Sequence, residues 1–280
     1  MVKDRKIRMI ALDLDYTTLR NDKSLSPRTE RALREAAAAG VHVVAATGRT
    51  FSALPPAILG IDSIRYAVNS NGAEISRLPG RNVIYRNGVG KEQVRAVREV
   101  LRDTPFPVEV FRGGQAFANA ADLEELAQNG STYRSAAYIL WSRKPVPDVL
   151  ALLDGEPEDV ENISVSFPED AERQKMRARL AKIPGVTITS STGFNLEIGG
   201  ATTSKAEALS YLMGVLGVAP EELMACGDSP NDAKMLALAG LGVAMGNASD
   251  EMKKLADYVT DTNENDGVAK AIERFVLRAE

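Results

Sequence analysis

The sequence has a single cysteine, Cys226, and a single histidine, His42, among its 280 residues. One cysteine cannot form an internal disulfide bond, so we expect a reducing compartment, the cytoplasm. One histidine excludes zinc sites that need two or three imidazole ligands. It also argues against a Ser-His-Asp hydrolase, because His42 lies within the strand-like run 41–46.

Long apolar runs and an excess of positive charge are also missing. No apolar stretch approaches the roughly 20 residues that a membrane-spanning helix needs, so no membrane partner is expected. The formal net charge of -4 offers no basic face, so no nucleic-acid partner is expected either. The 280 residues, of which 44% are hydrophobic, are enough for two domains with a sizeable core.

The glycine loops that commonly bind nucleotides are absent as well. No Gly-x-x-x-x-Gly-Lys-Ser/Thr loop occurs, and the glycines at 240, 242 and 246 do not match the spacing of a dinucleotide fingerprint. The run 227–231 lacks the last glycine of a Gly-x-Ser-x-Gly nucleophile elbow. The chemistry must therefore depend on carboxylates, amines and hydroxyls.

Two aspartates follow a short apolar run near the start of the sequence. Residues 7–12 predict a buried strand of a parallel sheet, and Asp13 and Asp15 stand at its carboxyl end. Ligands of open α/β sheets bind beyond this end of the strands. Two carboxylates so close repel each other, so the site needs a cation or a shared proton.

The next segments continue a βαβ series. Ser26 and Pro27 predict the start of a helix that ends at Gly40. The strand 41–46 then leads into Thr47-Gly48-Arg49, whose hydroxyl, bare backbone and guanidinium are suited to a phosphate. A third strand, 66–68, ends in the small polar residues 69–72. The repetition predicts an α/β fold with a parallel-sheet core.

The pattern of the sequence changes after about residue 85. A helix with Val94, Val97 and Leu101 on one face is followed by segments that predict extended structure at 108–111 and 138–141. We interpret 86–192 as an inserted α+β domain. The core is then formed by 1–85 and 193–280, and its sheet is expected to resume with the strand at 194–198.

A second acidic strand end follows this insertion. Lys205 is predicted at a helix start, where a cation is unfavourable to the helix dipole, so it suggests a functional role. The strand 223–226 then leads into Asp228, Asn231 and Asp232. The loop is not an EF-hand, because Pro230 lies inside it.

These groups suit phosphoryl transfer through a carboxylate. Asp13 would be the nucleophile, and Asp15 would protonate the leaving oxygen and then activate water. Mg²⁺, which prefers oxygen ligands, would be shared by Asp13 and Asp228. Lys205, Thr47 and Asn231 would bind the phosphoryl oxygens, Arg49 would support them, and Asp232 would orient Lys205 or complete the outer metal shell.

Four ordered motifs carry a resemblance to a known family. They are Asp13-Leu14-Asp15-x-Thr17, Thr47-Gly48-Arg49, Lys205, and Gly227-Asp228-x-x-Asn231-Asp232. Together they resemble the haloacid dehalogenase-like hydrolases, and most closely the Cof-type phosphatases of that superfamily. The runs 196–198 and 265–268 are similar to that subgroup too. The resemblance covers about 5–82 and 195–275.

The resemblance implies a Rossmann-like core with a large inserted α/β cap that selects the substrate. It implies a Mg²⁺ site at Asp13, Asp15 and Asp228, in which the side chain of Asp15 stays available for proton transfer. It also implies phosphate contacts from the backbone at Leu14 and Gly48. The expected partner is a small phosphate ester, and the protein is expected to be a monomer or a homodimer.

Two positions depart from the family pattern, and two other functions stay open. Tyr16 and Ala206 stand where the family usually has glycine. A phosphomutase would use the same nucleophile but return the phosphoryl group to a substrate hydroxyl. A phospho-receiver or binding module would hold the aspartyl phosphate without turnover.

Overall fold

The structure is a computed structural model that describes residues 6–155 and 159–278. These residues fall into two compact units. The first unit comprises Met1–Gly48, Leu54–Tyr85 and Ser204–Glu280, and the second comprises Arg49–Ala53 and Arg86–Thr203. Within the described ranges, no helix is both long enough and apolar enough to cross a bilayer.

The helices and strands occur in three stretches of the chain. The first contains β1 (Met9–Leu12), α1 (Pro27–Ala38), β2 (His42–Ala46), α2 (Pro56–Leu59), β3 (Ile64–Asn69), β4 (Glu74–Arg77) and β5 (Asn82–Arg86). The second contains α3 (Lys91–Leu101), β6 (Val108–Arg112), β7 (Gln115–Asn119), α4 (Ala120–Asn129), α5 (Ala136–Ser142), β8 (Arg143–Val146), β9 (Val160–Ser166), α6 (Asp170–Leu180), β10 (Val186–Thr189) and β11 (Asn195–Gly200). The third contains α7 (Lys205–Leu216), β12 (Leu223–Gly227), α8 (Ala233–Leu238), β13 (Leu241–Ala244), α9 (Asp250–Leu255), β14 (Tyr258–Val259) and α10 (Gly267–Ile272).

The first sheet has the strand order β14-β13-β12-β1-β2-β3-β4-β5. Neighbouring strands from β14 to β3 pair in parallel, and β4 pairs antiparallel with β3. All four residues of β1 are buried, because this central strand is covered on both faces. The predicted α/β fold with a parallel-sheet core is therefore confirmed.

Helix α1 shows how local sequence signals set an element of this unit. The side chain of Ser26 accepts a hydrogen bond from the backbone N–H of Thr29 at 3.0 Å, which caps the helix, and Pro27 occupies the first turn. Leu33 and Ala36 are buried on one face. The chain then turns at Gly40 with a φ of 85°, which glycine adopts without strain. This predicted helix is confirmed.

The second sheet has the order β10-β11-β9-β6-β7-β8 and is mainly antiparallel. Val94, Val97 and Leu101 of α3 are buried in its hydrophobic core, as the sequence predicts. They pack with alternate residues of β6 and β9, such as Val110 and Ile163. The opposite face of the same strands carries the polar positions, because side chains alternate along a strand.

The structure differs from the sequence prediction at β11. This strand pairs antiparallel with β9 and β10 in the second sheet, so the first unit resumes at Ser204 and not at residue 193. All six residues of β11 are buried. A strand buried on both faces has the same sequence pattern in either sheet, so its hydrophobicity alone does not reveal which sheet it joins.

The prediction of extended structure at 138–141 is also wrong. These residues belong to α5, in which Ile139 and Ser142 are buried while Leu140 and Trp141 are exposed. Bulky aromatic and β-branched residues favour strands by propensity, but burial of residues three apart is the pattern of one helix face. Tertiary packing has overridden the local preference in this segment.

Candidate active site

Two acidic groups lie next to each other because of the strand register. Leu12 of β1 pairs with Cys226 of β12 and with Ala45 of β2. The backbone N–H of Asp13 donates to the carbonyl oxygen of Cys226 at 3.0 Å, which extends the ladder beyond β1. Asp13, Asp228 and Thr47 consequently follow three adjacent parallel strands at the same edge of the sheet.

The ammonium group of Lys205 joins two of the predicted site residues. Its Nζ lies 2.6 Å from Oδ1 of Asp13 and 2.7 Å from Oδ1 of Asp232. The side chains of Lys205 and Asp232 are fully buried, and that of Asp13 is 9% exposed. A buried cation held by two carboxylates has little freedom to rotate, so Lys205 is fixed in position beside Asp13.

The helix that carries Lys205 is positioned by a close backbone approach. Ser204 caps α7 by accepting a hydrogen bond from the backbone N–H of Glu207 at 3.1 Å. A Cβ atom at Gly72 would lie 2.1 Å from the carbonyl oxygen of Ser204, and Gly72 has a φ of +97°. Only glycine fits this contact, which brings the start of α7 against the turn after β3.

Asp232 and Asp228 are oriented by hydrogen bonds from their own loop and from Thr17. Oδ2 of Asp232 accepts hydrogen bonds from the backbone N–H groups of Asp228 and Ser229, at 3.0 and 3.1 Å. The hydroxyl of Thr17 donates to Oδ1 of Asp228 at 2.7 Å, and the hydroxyl of Ser229 donates to its Oδ2 at 2.8 Å. Both carboxylates are therefore held at fixed angles before any ligand binds.

Burial and like charges make this cluster electrostatically strained. Burial is the main cause that raises the pKa of Asp13 well above its usual value; Lys205 opposes this rise, and Asp232 and Asp228 add to it. Burial, followed by the charge of Asp232, raises the pKa of Asp228 from 3.8 to about 6. Burial lowers the pKa of Lys205, but attraction to Asp13 and Asp232 outweighs burial and raises it. Lys205 is therefore a permanent cation.

A carboxylate cluster of this kind can hold a divalent cation. Among the described residues, one oxygen from each of Asp13, Asp228 and Asp232 can be chosen so that all three lie within 4.8 Å of one another. The oxygens of Asp232 are engaged by the ammonium group of Lys205 and by two backbone N–H groups, whereas those of Asp228 accept only from the hydroxyls of Thr17 and Ser229, which can rotate. Asp13 and Asp228 are thus the better ligands, and an all-oxygen donor set fits Mg²⁺.

The carboxylate of Asp15 does not belong to this cluster, as expected of a side chain that stays available for proton transfer, and a metal role of this residue stays a prediction. Its Oδ1 lies 3.0 Å from Nζ of Lys23. The segment Leu14–Thr18 forms a tight turn with Tyr16 at a φ of 60°.

The guanidinium of Arg49 contacts residues of the second unit, and its predicted supporting role beside the phosphate stays a prediction. The structure assigns this residue to the second unit, where its guanidinium donates to the carbonyl oxygen of Ala53 at 2.9 Å. Its Cζ lies 4.4 Å from the ring centroid of Tyr138, which is a cation–π distance. Arg49 is buried. The local motif Thr-Gly-Arg does not show to which unit the arginine turns.

The remaining predicted phosphate contacts lie at strand ends of the first unit. Thr47 is buried, and its backbone N–H donates to the carbonyl oxygen of Val68 at 2.8 Å. The amide of Asn231 donates to Oδ1 of Asn71 at 3.0 Å, and its own buried Oδ1 accepts no hydrogen bond from the residues that the structure describes. Leu14 is buried, and Gly48 ends the first stretch of the unit. The phosphate contacts of these residues stay predictions.

Sequence reasoning missed three residues that shape the site. Thr17 and Ser229 hold Asp228, and Asn71 holds Asn231. Each stands in a motif or polar strand end that the sequence pattern had already marked. The roles of Thr17 and Asn71 depend on hydrogen bonds between distant segments, which spacing does not reveal, whereas Ser229 contacts its neighbour Asp228.

Comparison with known proteins links this geometry to a family. The model of the family described as haloacid dehalogenase-like hydrolase matches residues 10–272. The chain is similar to the Bacillus subtilis 5-amino-6-(5-phospho-D-ribitylamino)uracil phosphatase YcsE, with 32% identity over 98% of each chain. It is also similar to phosphatase YwpJ of the same organism, with 32% identity over 96% of this chain and 100% of that one. A solved haloacid dehalogenase-like hydrolase from B. subtilis has a TM-score of 0.82 at 28% identity, covering 95% of this chain and 99% of that chain.

Proposed function

This chain belongs to the haloacid dehalogenase-like hydrolase family, and we propose that it hydrolyses small phosphate esters through an aspartyl phosphate formed on Asp13. The protein is a phosphoric monoester hydrolase, like its relatives of 32% identity. The observation that carries the proposed mechanism is the buried ion pair of Lys205 with Asp13 at 2.6 Å. A nucleophilic carboxylate needs a fixed neighbouring cation, because the phosphate it attacks is itself an anion.

In the first step, one carboxylate oxygen of Asp13 attacks phosphorus in line with the ester oxygen. The bond between phosphorus and the ester oxygen breaks, and Asp15 gives its proton to this leaving oxygen, which departs as the alcohol. In the second step, Asp15 takes a proton from a water molecule. The resulting hydroxide attacks the phosphorus of the aspartyl phosphate, which releases inorganic phosphate and restores the carboxylate of Asp13.

The charges that accompany these steps come from Lys205 and a proposed Mg²⁺ ion. Lys205 remains charged throughout and stabilises the negative oxygens of the transferring group, because Asp13 and Asp232 hold it in place. Asp13 and Asp228 would hold Mg²⁺, and the bound ion would supply further charge neutralisation at the phosphoryl oxygens. The backbone of Leu14 and Gly48, with Thr47 and Asn231, would complete the phosphate contacts.

The sequence predicts a substrate-selecting cap at 86–192, and most of the second unit lies in this range. We therefore propose that the second unit selects the alcohol part of the substrate. Its sheet supports this role, since three buried polar residues form a row across neighbouring strands. Glu109 pairs with Ser164, and Ser164 pairs with Glu197. The name of the YcsE relative directs attention to phosphorylated polyols attached to a base, so such esters and sugar phosphates are the first substrates to test.

Phosphate release from a panel of esters tests the proposal. The panel contains 5-amino-6-(5-phospho-D-ribitylamino)uracil, ribose 5-phosphate, glucose 6-phosphate, glycerol 3-phosphate and p-nitrophenyl phosphate, each with Mg²⁺ and with chelator. We expect release that requires Mg²⁺, with the best ester at least about tenfold above the poorest. Stable phosphorylation of Asp13 without release would favour a phospho-receiver. An isomeric phosphate ester in place of inorganic phosphate would favour a phosphomutase.

A further inference from the structure

Two residues near the proposed acid Asp15 adopt a backbone conformation that is unusual for their side chains. Tyr16 has a φ of 60° and Lys23 a φ of 67°. Residues other than glycine, asparagine and aspartate rarely occupy this left-handed region, because Cβ approaches the backbone carbonyl oxygen. Strain that persists at a candidate active site is evidence that the surrounding structure enforces it.

A chain of asparagine hydrogen bonds holds the turn that contains Tyr16. The amide of Asn247 donates to the carbonyl oxygen of Tyr16 at 2.8 Å and accepts from the backbone N–H of Asn263 at 3.1 Å. The amide of Asn263 in turn donates to the carbonyl oxygen of Leu19 and to Oδ1 of Asn21, both at 3.1 Å. Asn247 and Asn263 therefore tie the whole segment after Asp15 to the C-terminal part of the unit.

The strained residues meet at the carboxylate of Asp15. Nζ of Lys23 lies 3.0 Å from Oδ1 of Asp15 and 4.1 Å from the ring centroid of Tyr16. The ammonium group thus contacts both the acid and an aromatic face, and the ring limits the directions from which Lys23 can approach Asp15. A glycine at position 16, as is usual in the family, would offer no such face.

Stability alone does not account for this arrangement. The side chains of Lys23 and Asp15 are 30% and 31% exposed. Ion pairs with this exposure contribute little to the free energy of unfolding, because water screens them. Two strained residues that stabilise the fold so weakly are better explained by the need to place the carboxylate.

We infer that Lys23, seated on the ring of Tyr16, is a positioning residue that orients the carboxylate of Asp15 for proton transfer to the leaving oxygen. The inference rests on the proposed phosphatase mechanism. It assigns roles to Lys23 and Tyr16 that the sequence motifs do not describe. Its consequence is that Lys23 matters most when the leaving oxygen needs a proton. Alkyl phosphates have such an oxygen, whereas p-nitrophenolate leaves readily without one.

The test compares Lys23→Gln with the wild-type enzyme on p-nitrophenyl phosphate and on the alkyl ester of the panel that the wild type turns over fastest. We expect kcat for the alkyl ester to fall about tenfold or more, with KM within about threefold, and a smaller loss for the aryl ester. Lys23→Arg should restore most of the activity, because arginine also pairs with a carboxylate and stacks on a ring. Tyr16→Ala should share part of the loss in kcat, and Tyr16→Phe, which keeps the ring, should lose less than Tyr16→Ala.

A double-mutant cycle separates positioning from a structural role. In an Asp15→Asn background, Lys23→Gln should lower kcat for the alkyl ester less than about threefold, because the carboxylate through which Lys23 acts is gone. Lys270→Gln is the matched control, since Lys270 forms an exposed pair with Asp261 at 2.7 Å in the same unit. Thermal unfolding of each variant shows whether it is folded.

Three results would overturn the inference. The first is an equal loss of kcat from Lys23→Gln in the wild-type and Asp15→Asn backgrounds. The second is an equal loss of kcat on the alkyl and aryl esters. The third is activity of Lys23→Gln within about twofold of wild type on the alkyl ester. In each case the wild-type enzyme still releases phosphate, so the proposed function stands. Absence of turnover by the wild type on the whole panel would contradict the proposed function, and this inference with it.

Discussion

The ammonium group of Lys205 lies 2.6 Å from the carboxylate of Asp13, although 192 residues separate the two in the sequence. The contact also includes Asp232 at 2.7 Å, and none of the three side chains is more than 9% exposed. Removing one member leaves the others buried with an uncompensated charge. The site is therefore one coupled unit, and the predictions below follow from that coupling.

Asp13→Asn should abolish turnover while the fold survives. Asparagine has nearly the same shape and its amide oxygen can still accept from Lys205, but it cannot form an aspartyl phosphate. We expect phosphate release to fall by roughly 10⁴-fold or more. The control is Asp170→Asn, which changes an exposed aspartate on α6. Activity of Asp13→Asn within tenfold of the wild type would exclude Asp13 as the nucleophile.

Lys205→Ala should lower kcat roughly 100-fold or more, as expected when one donor to the transition state is removed. Lys205→Met keeps most of the buried volume without the charge, so it separates the electrostatic effect from a cavity. Lys175→Ala, at a position 70% exposed, is the control. Steady-state rates and thermal unfolding are measured together. A loss below about threefold in both variants of Lys205 would assign the lysine to structure alone.

Asp228→Asn should stabilise the metal-free protein at neutral pH. The folded-state pKa of Asp228, about 6, is above its usual value of 3.8, so the folded protein binds this proton more tightly than the unfolded chain does. The stabilising contribution of the proton is present at low pH and is lost as pH rises from about 4 to about 6. With chelator, the variant should therefore melt above the wild type at pH 7.5, with a difference that shrinks towards pH 4.

The same variant should lose the response to the proposed cation. Mg²⁺ should raise the melting temperature of the wild type, because a ligand that binds only the folded state stabilises it. It should raise that of Asp228→Asn much less, because one of the two carboxylate ligands is gone. A lower melting temperature of the variant at pH 7.5 in chelator would contradict the electrostatic argument, and an unchanged Mg²⁺ response would contradict the metal site.

Glu109→Gln should destabilise the second unit. The side chain of Glu109 accepts from Arg143 at 2.7 Å, and both side chains are only 7% exposed. Burial lowers the pKa of Arg143, but the attraction of Glu109 outweighs it and raises the pKa, so the guanidinium remains charged. Loss of its partner should cost about 3–5 kcal/mol in the free energy of unfolding.

The control for this prediction is Glu30→Gln, which breaks an exposed pair with Arg34 at 2.8 Å. An exposed pair on a helix is worth less than about 1 kcal/mol. Chemical denaturation of both variants measures the two costs. Equal costs would show that burial of the pair between Glu109 and Arg143 does not raise its contribution.

The sequence alone determined the local features of this protein, namely single strands and helices and the residues that begin them. The apolar run before Asp13 makes β1, Ser26 and Pro27 start α1, and the spacing of Val94, Val97 and Leu101 places α3 against a core. These features depend on neighbours within a few residues, so spacing and side-chain chemistry suffice to predict them. The order of the acidic strand ends likewise pointed to the phosphatase family.

Tertiary structure alone decided which distant groups meet. It placed β11 in the second sheet and folded 138–141 as a helix. It paired Asp15 with Lys23 and turned Arg49 towards Tyr138. Apart from the pair of Asp15 and Lys23, which lie in one loop, these outcomes depend on strand register or on burial against remote segments, and a local pattern carries no information about either. The position of Lys205 between Asp13 and Asp232 was likewise decided by tertiary structure. The sheet register and the fit of Ser204 against Gly72 bring these three charged residues together.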